Sequence, residues 1–282
     1  MHKLSHLEEI DYLVIGHITQ DLTPDGPRMG GTATFSALTA RALGLRVGIV
    51  TSWGEEIPSE NLHHITVVNY PTERSTTFEN IYTPQGRVQT LHNVAPSLDY
   101  HHIPEAWRQT PIIHLGPVAQ EVEPGLIRHL SSSLIGLTPQ GWLRAWDKNG
   151  HVHPCEWPEA SFTLNQAGAA VISVEDVGNS DERIEEMASA CRILAVTEAS
   201  CGSHLYWNGD VRHFLPPAVS QMDATGAGDV YAAAFFVRLY ATRDPWEAAR
   251  FATQLSAYSV TRSGFESIPT STEIQESLIE VL

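Results

Sequence analysis

The stretch Asp223-Ala224-Thr225-Gly226-Ala227-Gly228-Asp229 runs straight into Val230-Tyr231-Ala232-Ala233-Ala234-Phe235-Phe236-Val237. An almost wholly apolar segment behind a glycine turn reads as a helix buried on all sides, so the rest of the chain must be built around it. The first N–H groups of such a helix have no partner inside it. Gly226, Ala227 and Gly228 set those groups on backbone that a bulky ligand can approach closely. With the positive end of the helix dipole, this makes an anion hole. Asp229 falls in the first turn, and two readings of it stand. One is a carboxylate that caps the helix. The other is a general base that takes a proton from a hydroxyl while the glycine turn holds the charge developing on a phosphoryl group.

The chain has 282 residues, 42% hydrophobic and 18% charged, enough apolar material for a sizeable core in one large α/β domain. A formal net charge of −16 argues against nucleic acid or an anionic membrane as a partner. Cys155, Cys191 and Cys201 follow no disulfide or metal spacing, which suits a reducing compartment. The N-terminus carries no signal-peptide core and no apolar run reaches membrane-spanning length, so the expectation is a soluble, cytoplasmic protein.

In order, the chain reads as alternating strands and helices. Ile10–Gly16 is a buried strand. It is followed by His17 to Asp21, a loop rich in proline and glycine, and a helix from Thr32 to Leu43 closed by Gly44. Arg46–Thr51 is the next strand, completing the βαβ pattern of a parallel sheet. Thr76–Thr83 and Arg87–His92 flank Pro84-Gln85-Gly86 as a hairpin, and Thr76, Glu79 and Asn80 either face a ligand or are ordinary strand residues. Pro111–Gly116 is a core strand in which a lone His114 reads as a satisfied core histidine. A short helix at Val122–Leu130, a strand at Ser133–Thr138 and a hairpin about Lys148-Asn149-Gly150 come next. On that hairpin His151, His153 and Cys155 share a strand face, but no fourth ligand stands at zinc spacing. Further strands are expected at Ala169–Val174 and Arg192–Thr197, a hairpin at Ser203–Leu215, and helices at Asp181–Ala190, Trp246–Arg262 and Ser271–Leu282.

The string Asp223-x-Thr225-Gly226-Ala227-Gly228-Asp229 resembles the signature of the PfkB/ribokinase family of sugar and nucleoside kinases. The resemblance implies a three-layer α/β/α sandwich over residues 1–282, with a mainly parallel central sheet and a small β lid at about 75–93. It implies transfer of the γ-phosphoryl group of ATP, with Mg²⁺, to a hydroxyl of a small polyol, sugar or nucleoside. Asp229 is then the base, and Gly226, Ala227 and Gly228 form the anion hole. Asp21, Gly30 and Gly31 occupy the family's acceptor-binding places; the plainer reading is a turn and a tight bend. Thr197, Gly202, Thr225, Gly226 and Gly228 fall at donor positions, although Ala199 replaces the middle glycine of the family's donor loop. Ser173-Val174-Glu175-Asp176 stands where many members have Asn-x-x-Glu, so Asp176 is the expected indirect magnesium partner, or else an acidic helix cap. Phe35 replaces an asparagine that grips a sugar hydroxyl. With the short lid, it points to the compact branch that includes inositol kinases, working as a monomer or homodimer. A catalytically weak ligand-binding or regulatory protein on the same fold is the alternative. A dinucleotide-binding oxidoreductase is disfavoured because no Gly-x-Gly-x-x-Gly follows the first strand.

Overall fold

A computed structural model describes residues 7–54, 56–58, 60–83, 86–130 and 134–279. The first half runs β1 (Tyr12–Ile15), β2 (Thr19–Thr23), β3 (Gly26–Gly30), α1 (Thr32–Ala42), β4 (Val47–Thr51), β5 (Thr66–Asn69), β6 (Thr76–Thr83), β7 (Gly86–Asn93), β8 (Ile112–Leu115), β9 (Leu134–Leu137), β10 (Arg144–Trp146) and β11 (Val152–Pro154). The second half runs α2 (Ala160–Gln166), β12 (Ala169–Ser173), α3 (Asp181–Ala190), β13 (Ile193–Thr197), β14 (Ser203–Trp207), β15 (Asp210–Phe214), α4 (Ala227–Thr242), α5 (Pro245–Ser259) and α6 (Ser271–Leu278).

Nine strands form one sheet in the order β15-β14-β13-β12-β9-β8-β1-β4-β5. Every pairing from β12–β13 to β4–β5 is parallel, and β14 alone is reversed, pairing antiparallel with β13 and with β15. Strand β1 is buried throughout, and its side chains alternate between two cores, as a doubly covered parallel sheet requires. Tyr12 and Val14 join the side packed by α1, α4 and α5. Leu13 and Ile15 join the side packed by α2 and α3. The chain is thus the expected α/β/α sandwich. Helix α4 is buried from Val230 to Phe236, as its composition demands, and the Phe236 ring lies where a β-carbon at Gly136 of β9 would stand.

The sheet order reverses between β1 and β8, because the chain leaves β1 for β4 and β5 on one side and returns to β8 and β9 on the other. Such a switch point opens a crevice at the carboxyl ends of the strands. Gly16 and Gly116 close the two strands there, so near to one another that a β-carbon on Gly16 would overlap the Gly116 carbonyl.

A second sheet of four strands, ordered β3-β2-β6-β7, forms the lid. The β6–β7 hairpin was expected, with its turn residues Pro84 and Gln85 lying outside the described residues. The expected loop after Asp21 is instead the β2–β3 hairpin, turning at Pro24-Asp25. Pro27 is compatible with it because β3 is an edge strand, where no ladder donor is needed on the outer side. The lid is therefore larger than a single hairpin. Phe78 and Leu91 pack with Val118, Ala119, Trp146 and Val152, and the Leu91 N–H donates to the Gly150 carbonyl at 2.8 Å. The β10–β11 hairpin is thereby a buttress between lid and sheet.

Candidate active site

The turn ahead of α4 is shaped by its own residues. The N–H groups of Met222 and Asp223 donate to the Val260 carbonyl at the end of α5, and the Asp223 carboxylate accepts the Thr225 N–H at 2.9 Å. Gly226 is the helix N-cap with φ 79°, a conformation costly to any residue with a β-carbon. The Phe35 ring lies directly against it and meets Phe265 at 5.4 Å. Phe35 thus floors the glycine turn, a packing role in place of the family's hydroxyl-gripping amide.

The first helical bond of α4 runs from the Val230 N–H to the Gly226 carbonyl, so the N–H groups of Gly228 and Asp229 precede the ladder. A β-carbon on Gly228 would meet nothing within 4 Å. This open, donor-rich end of a helix suits an anion.

Asp229 is half-buried at the start of α4. Burial is the main cause that raises its pKa from 3.8 to about 6, against the opposing hydrogen bond from the Thr32 side chain and the charge of Arg144; Asp176 and Asp21 raise it further. The sequence reading expected an ionised group, and a value near 6 keeps it mostly so at pH 7. The shift is upward because desolvation outweighs the Thr32 hydrogen bond and the Arg144 charge. Thr32 is itself positioned by the switch point, since its methyl group packs on Gly116, and the Ser36 hydroxyl donates to the Asp229 carbonyl at 3.4 Å.

Asp21 lies near enough for its charge to act on Asp229. Its carboxylate accepts the Thr19 hydroxyl at 3.0 Å, and a β-carbon on Gly30 would overlap it. Gly31, at φ 89°, passes close to the His17 carbonyl. Both glycines therefore have a structural reason to be there: they let β3 and α1 close over Asp21.

Asp176 lies near enough to act on Asp229, but its carboxylate also accepts the Ser173 N–H at 2.9 Å and the Gln140 side-chain N–H at 3.1 Å. With Ser173 it forms a capping box on the short turn Val174–Val177, whereas α3 is capped by Ser180. Asp176 is thus held by the capping box of this short turn and does not cap α3, the plainer role expected of it.

At the donor positions, the Thr197 hydroxyl donates to the Ile172 carbonyl at 3.3 Å. Gly202 has φ 97° and sits against the Phe214 carbonyl and Pro216. Ala199, in the place of the missing glycine, adopts φ 49° all the same. Thr225 is exposed beside the glycine turn.

In the lid, Thr76 is buried against His17 (2.7 Å) and the Ala95 N–H, Glu79 bonds His92 at 2.8 Å, and Asn80 accepts from Gln89 at 2.9 Å. These are strand contacts. His114 is held by Tyr12 (3.0 Å) and Thr138 (2.8 Å), and burial pushes its pKa down to about 3, so it is neutral. His151, His153 and Cys155 each have separate partners, in Asp147, the Pro154 carbonyl and the Trp142 carbonyl.

Two residues were missed. Arg144 is brought to Asp229 by the β10–β11 buttress, a long-range effect that no local motif announces. Glu121 is buried, and its carboxylate accepts the N–H groups of His17, Val118 and Ala119, tying the loops after β1 and β8 together.

Carboxylates gathered at a switch point beside a glycine-opened helix N-terminus belong to a class of phosphotransferases that act on alcohol groups. Comparison with known proteins gives the same class. Residues 156–272 match the model of the pfkB family carbohydrate kinases. A cytidine kinase of Thermococcus kodakarensis is 25% identical over 247 residues, covering 80% of this chain and 87% of that protein. An inositol 3-kinase of Zea mays is 27% identical over 149 residues, 53% of this chain and 38% of its own length. Among solved structures, a pyrophosphate-dependent kinase of the ribokinase family, in complex with a pyrophosphate analog and myo-inositol, superposes with a TM-score of 0.80. It is 21% identical and is aligned over 94% of this chain and 99% of its own. The fold is ribokinase-like, and residues 156–272 are similar to the pfkB family carbohydrate kinases. Among the described residues, no helix is long and apolar enough to cross a membrane.

Proposed function

We propose that the protein transfers the γ-phosphoryl group of ATP to a hydroxyl of a small polyol, sugar or nucleoside, with an inositol-like or sugar acceptor favoured. The observation that carries this reading is the Asp229 carboxyl, raised to about 6 and bonded by Thr32, at the mouth of the open Gly226–Gly228 turn. A base with a pKa near the working pH combines a high deprotonated fraction with useful basicity. The acceptor hydroxyl lies between Asp21 and Asp229, and Asp229 takes its proton as the new O–P bond forms. The N–H groups at Gly228 and Asp229 hold the equatorial oxygens of the transferring group. Arg144 approaches from the lid side and adds positive charge where an excess of carboxylates would otherwise repel a polyphosphate.

Asp21 and Asp176 both act on Asp229, and three acidic side chains so placed suit a divalent cation. Asp176 would hold Mg²⁺ through water, and the ion would neutralise the donor phosphates. The inositol and cytidine kinases among the relatives favour a small hydroxylated acceptor. The pyrophosphate-dependent neighbour makes the donor an open variable of the same reaction.

The test is phosphate-donor consumption by the purified protein with Mg²⁺ across polyols, sugars and nucleosides, run in parallel with ATP, ADP and pyrophosphate. Turnover on one acceptor, lost in Asp229→Asn, is the expected result. Silence across the panel with every donor would transfer the chain to the ligand-binding alternative.

A further inference from the structure

The loop after β13 and the β14–β15 hairpin bring together three side chains that the phosphoryl-transfer reading does not use. His204 on β14 and His213 on β15 are direct cross-strand partners, with rings stacked at 4.3 Å and 7° from parallel. Glu198, the first residue after β13, bonds His204 Nδ1 through Oε1 at 2.9 Å. One ligand atom from each of the three residues lies within 4.8 Å of the others. Glu198 and His204 are half-buried, and His213 is exposed, so the cluster is open to solvent on one side.

The surroundings of these groups are those of metal ligands. A metal-bound histidine commonly gives its second ring N–H to a carbonyl or carboxylate, which fixes the tautomer. His213 Nε2 meets the Cys201 carbonyl at 2.7 Å, so this nitrogen carries the proton and Nδ1 keeps a lone pair for a cation. The Cys201 carbonyl is itself held in place, since the Cys201 N–H donates to the Glu198 carbonyl at 2.9 Å and the Glu198 N–H donates to the Gly202 carbonyl at 2.8 Å. The proton shared by His204 Nδ1 and Glu198 occupies the position a cation would take.

We propose that Glu198, His204 and His213 bind a transition-metal dication of the zinc class. Two imidazoles and one carboxylate are a borderline donor set, which prefers Zn²⁺, Co²⁺ or Ni²⁺ to Mg²⁺ or Ca²⁺. Binding tilts the two rings out of parallel, displaces the proton between His204 and Glu198, and leaves a coordination position for water. Because the proton leaves as the metal enters, affinity rises with pH. The ion would fasten the Glu198–Gly202 loop to the β14–β15 hairpin.

The experiment is a titration of the metal-stripped, full-length protein with Co²⁺, followed by visible absorption and by calorimetry, with Zn²⁺ as competitor. The expected result is a saturable site for one ion per chain, with weaker binding by roughly tenfold or more in both His213→Ala and Glu198→Gln. Zn²⁺ should also raise the melting temperature of the parent protein and not that of the variants. His101→Ala, at an exposed histidine outside the cluster, and a double variant at His2 and His6 are controls that should bind as the parent does. His213 is exposed, so its variant should fold. Binding undiminished in His213→Ala and Glu198→Gln, binding lost in either control, or no saturable Co²⁺ uptake would each overturn the site.

Discussion

At the scale of single residues, Asp229 makes two demands that pull apart. Catalysis needs a carboxylate, and burial penalises one. Replacing it with Asn should lower kcat by on the order of 10³ while leaving the circular dichroism spectrum unchanged. The same change should raise the melting temperature at pH 8. The folded pKa of about 6 lies above the ordinary 3.8, so the native state binds this proton more tightly than the unfolded chain does. That contribution to stability is complete below the unfolded value and is lost as pH climbs through 6, leaving an ionised group in an unfavourable place at pH 8. At pH 4 the parent and Asp229→Asn should therefore differ less. In kinetics, kcat/KM should fall with unit slope below about pH 6. Thr32→Val and Arg144→Met each remove an influence that lowers the Asp229 pKa, so both should move that limb to higher pH. A limb that stays in place in both variants would remove Asp229 from the role of titrating group.

Among the elements, the glycine-turn helix and the Ser203–Leu215 hairpin were legible because their signals are local: a continuous apolar run and Asn208-Gly209 between alternating residues. The β2–β3 hairpin was not legible, because Pro24 and Pro27 argue against a strand unless one already knows that β3 is an edge. Arg144 was equally hidden. Its approach to Asp229 depends on the packing of Trp146 and Val152 beneath the lid, which no spacing in the sequence encodes. The family's glycine loop is a third lesson, since Ala199 keeps the backbone shape after the glycine is gone. A left-handed alanine costs about 1 kcal/mol. Ala199→Gly should accordingly raise the melting temperature by about 2–4 °C. Gly202→Ala should lower it, because a β-carbon there would overlap the Phe214 carbonyl. Thermal denaturation of the two variants checks both signs.

Across the whole molecule, the candidate site is drawn from Asp21, Thr32, Arg144, Asp176 and Asp229, which are far apart in the chain and meet only where β1 and β8 part. The lid and the buttress share a small core, so a defect in one should be felt in the other. Gly150 has φ 83° and lies against the Leu91 carbonyl, and Gly150→Val should loosen that junction. The expected outcome is a rise in KM for the acceptor larger than that for the donor, measured with each substrate varied at saturating levels of the other. The placing of Phe236 against Gly136 has a last consequence. The stretch by which relatives are recognised, residues 156–272, is not a module. A fragment beginning at 156 would keep the signature and Asp229 while losing β8, β9 and α1, the surfaces that cover α4. Its most hydrophobic helix would be laid bare, and such a fragment should emerge as insoluble aggregate rather than as a slow enzyme.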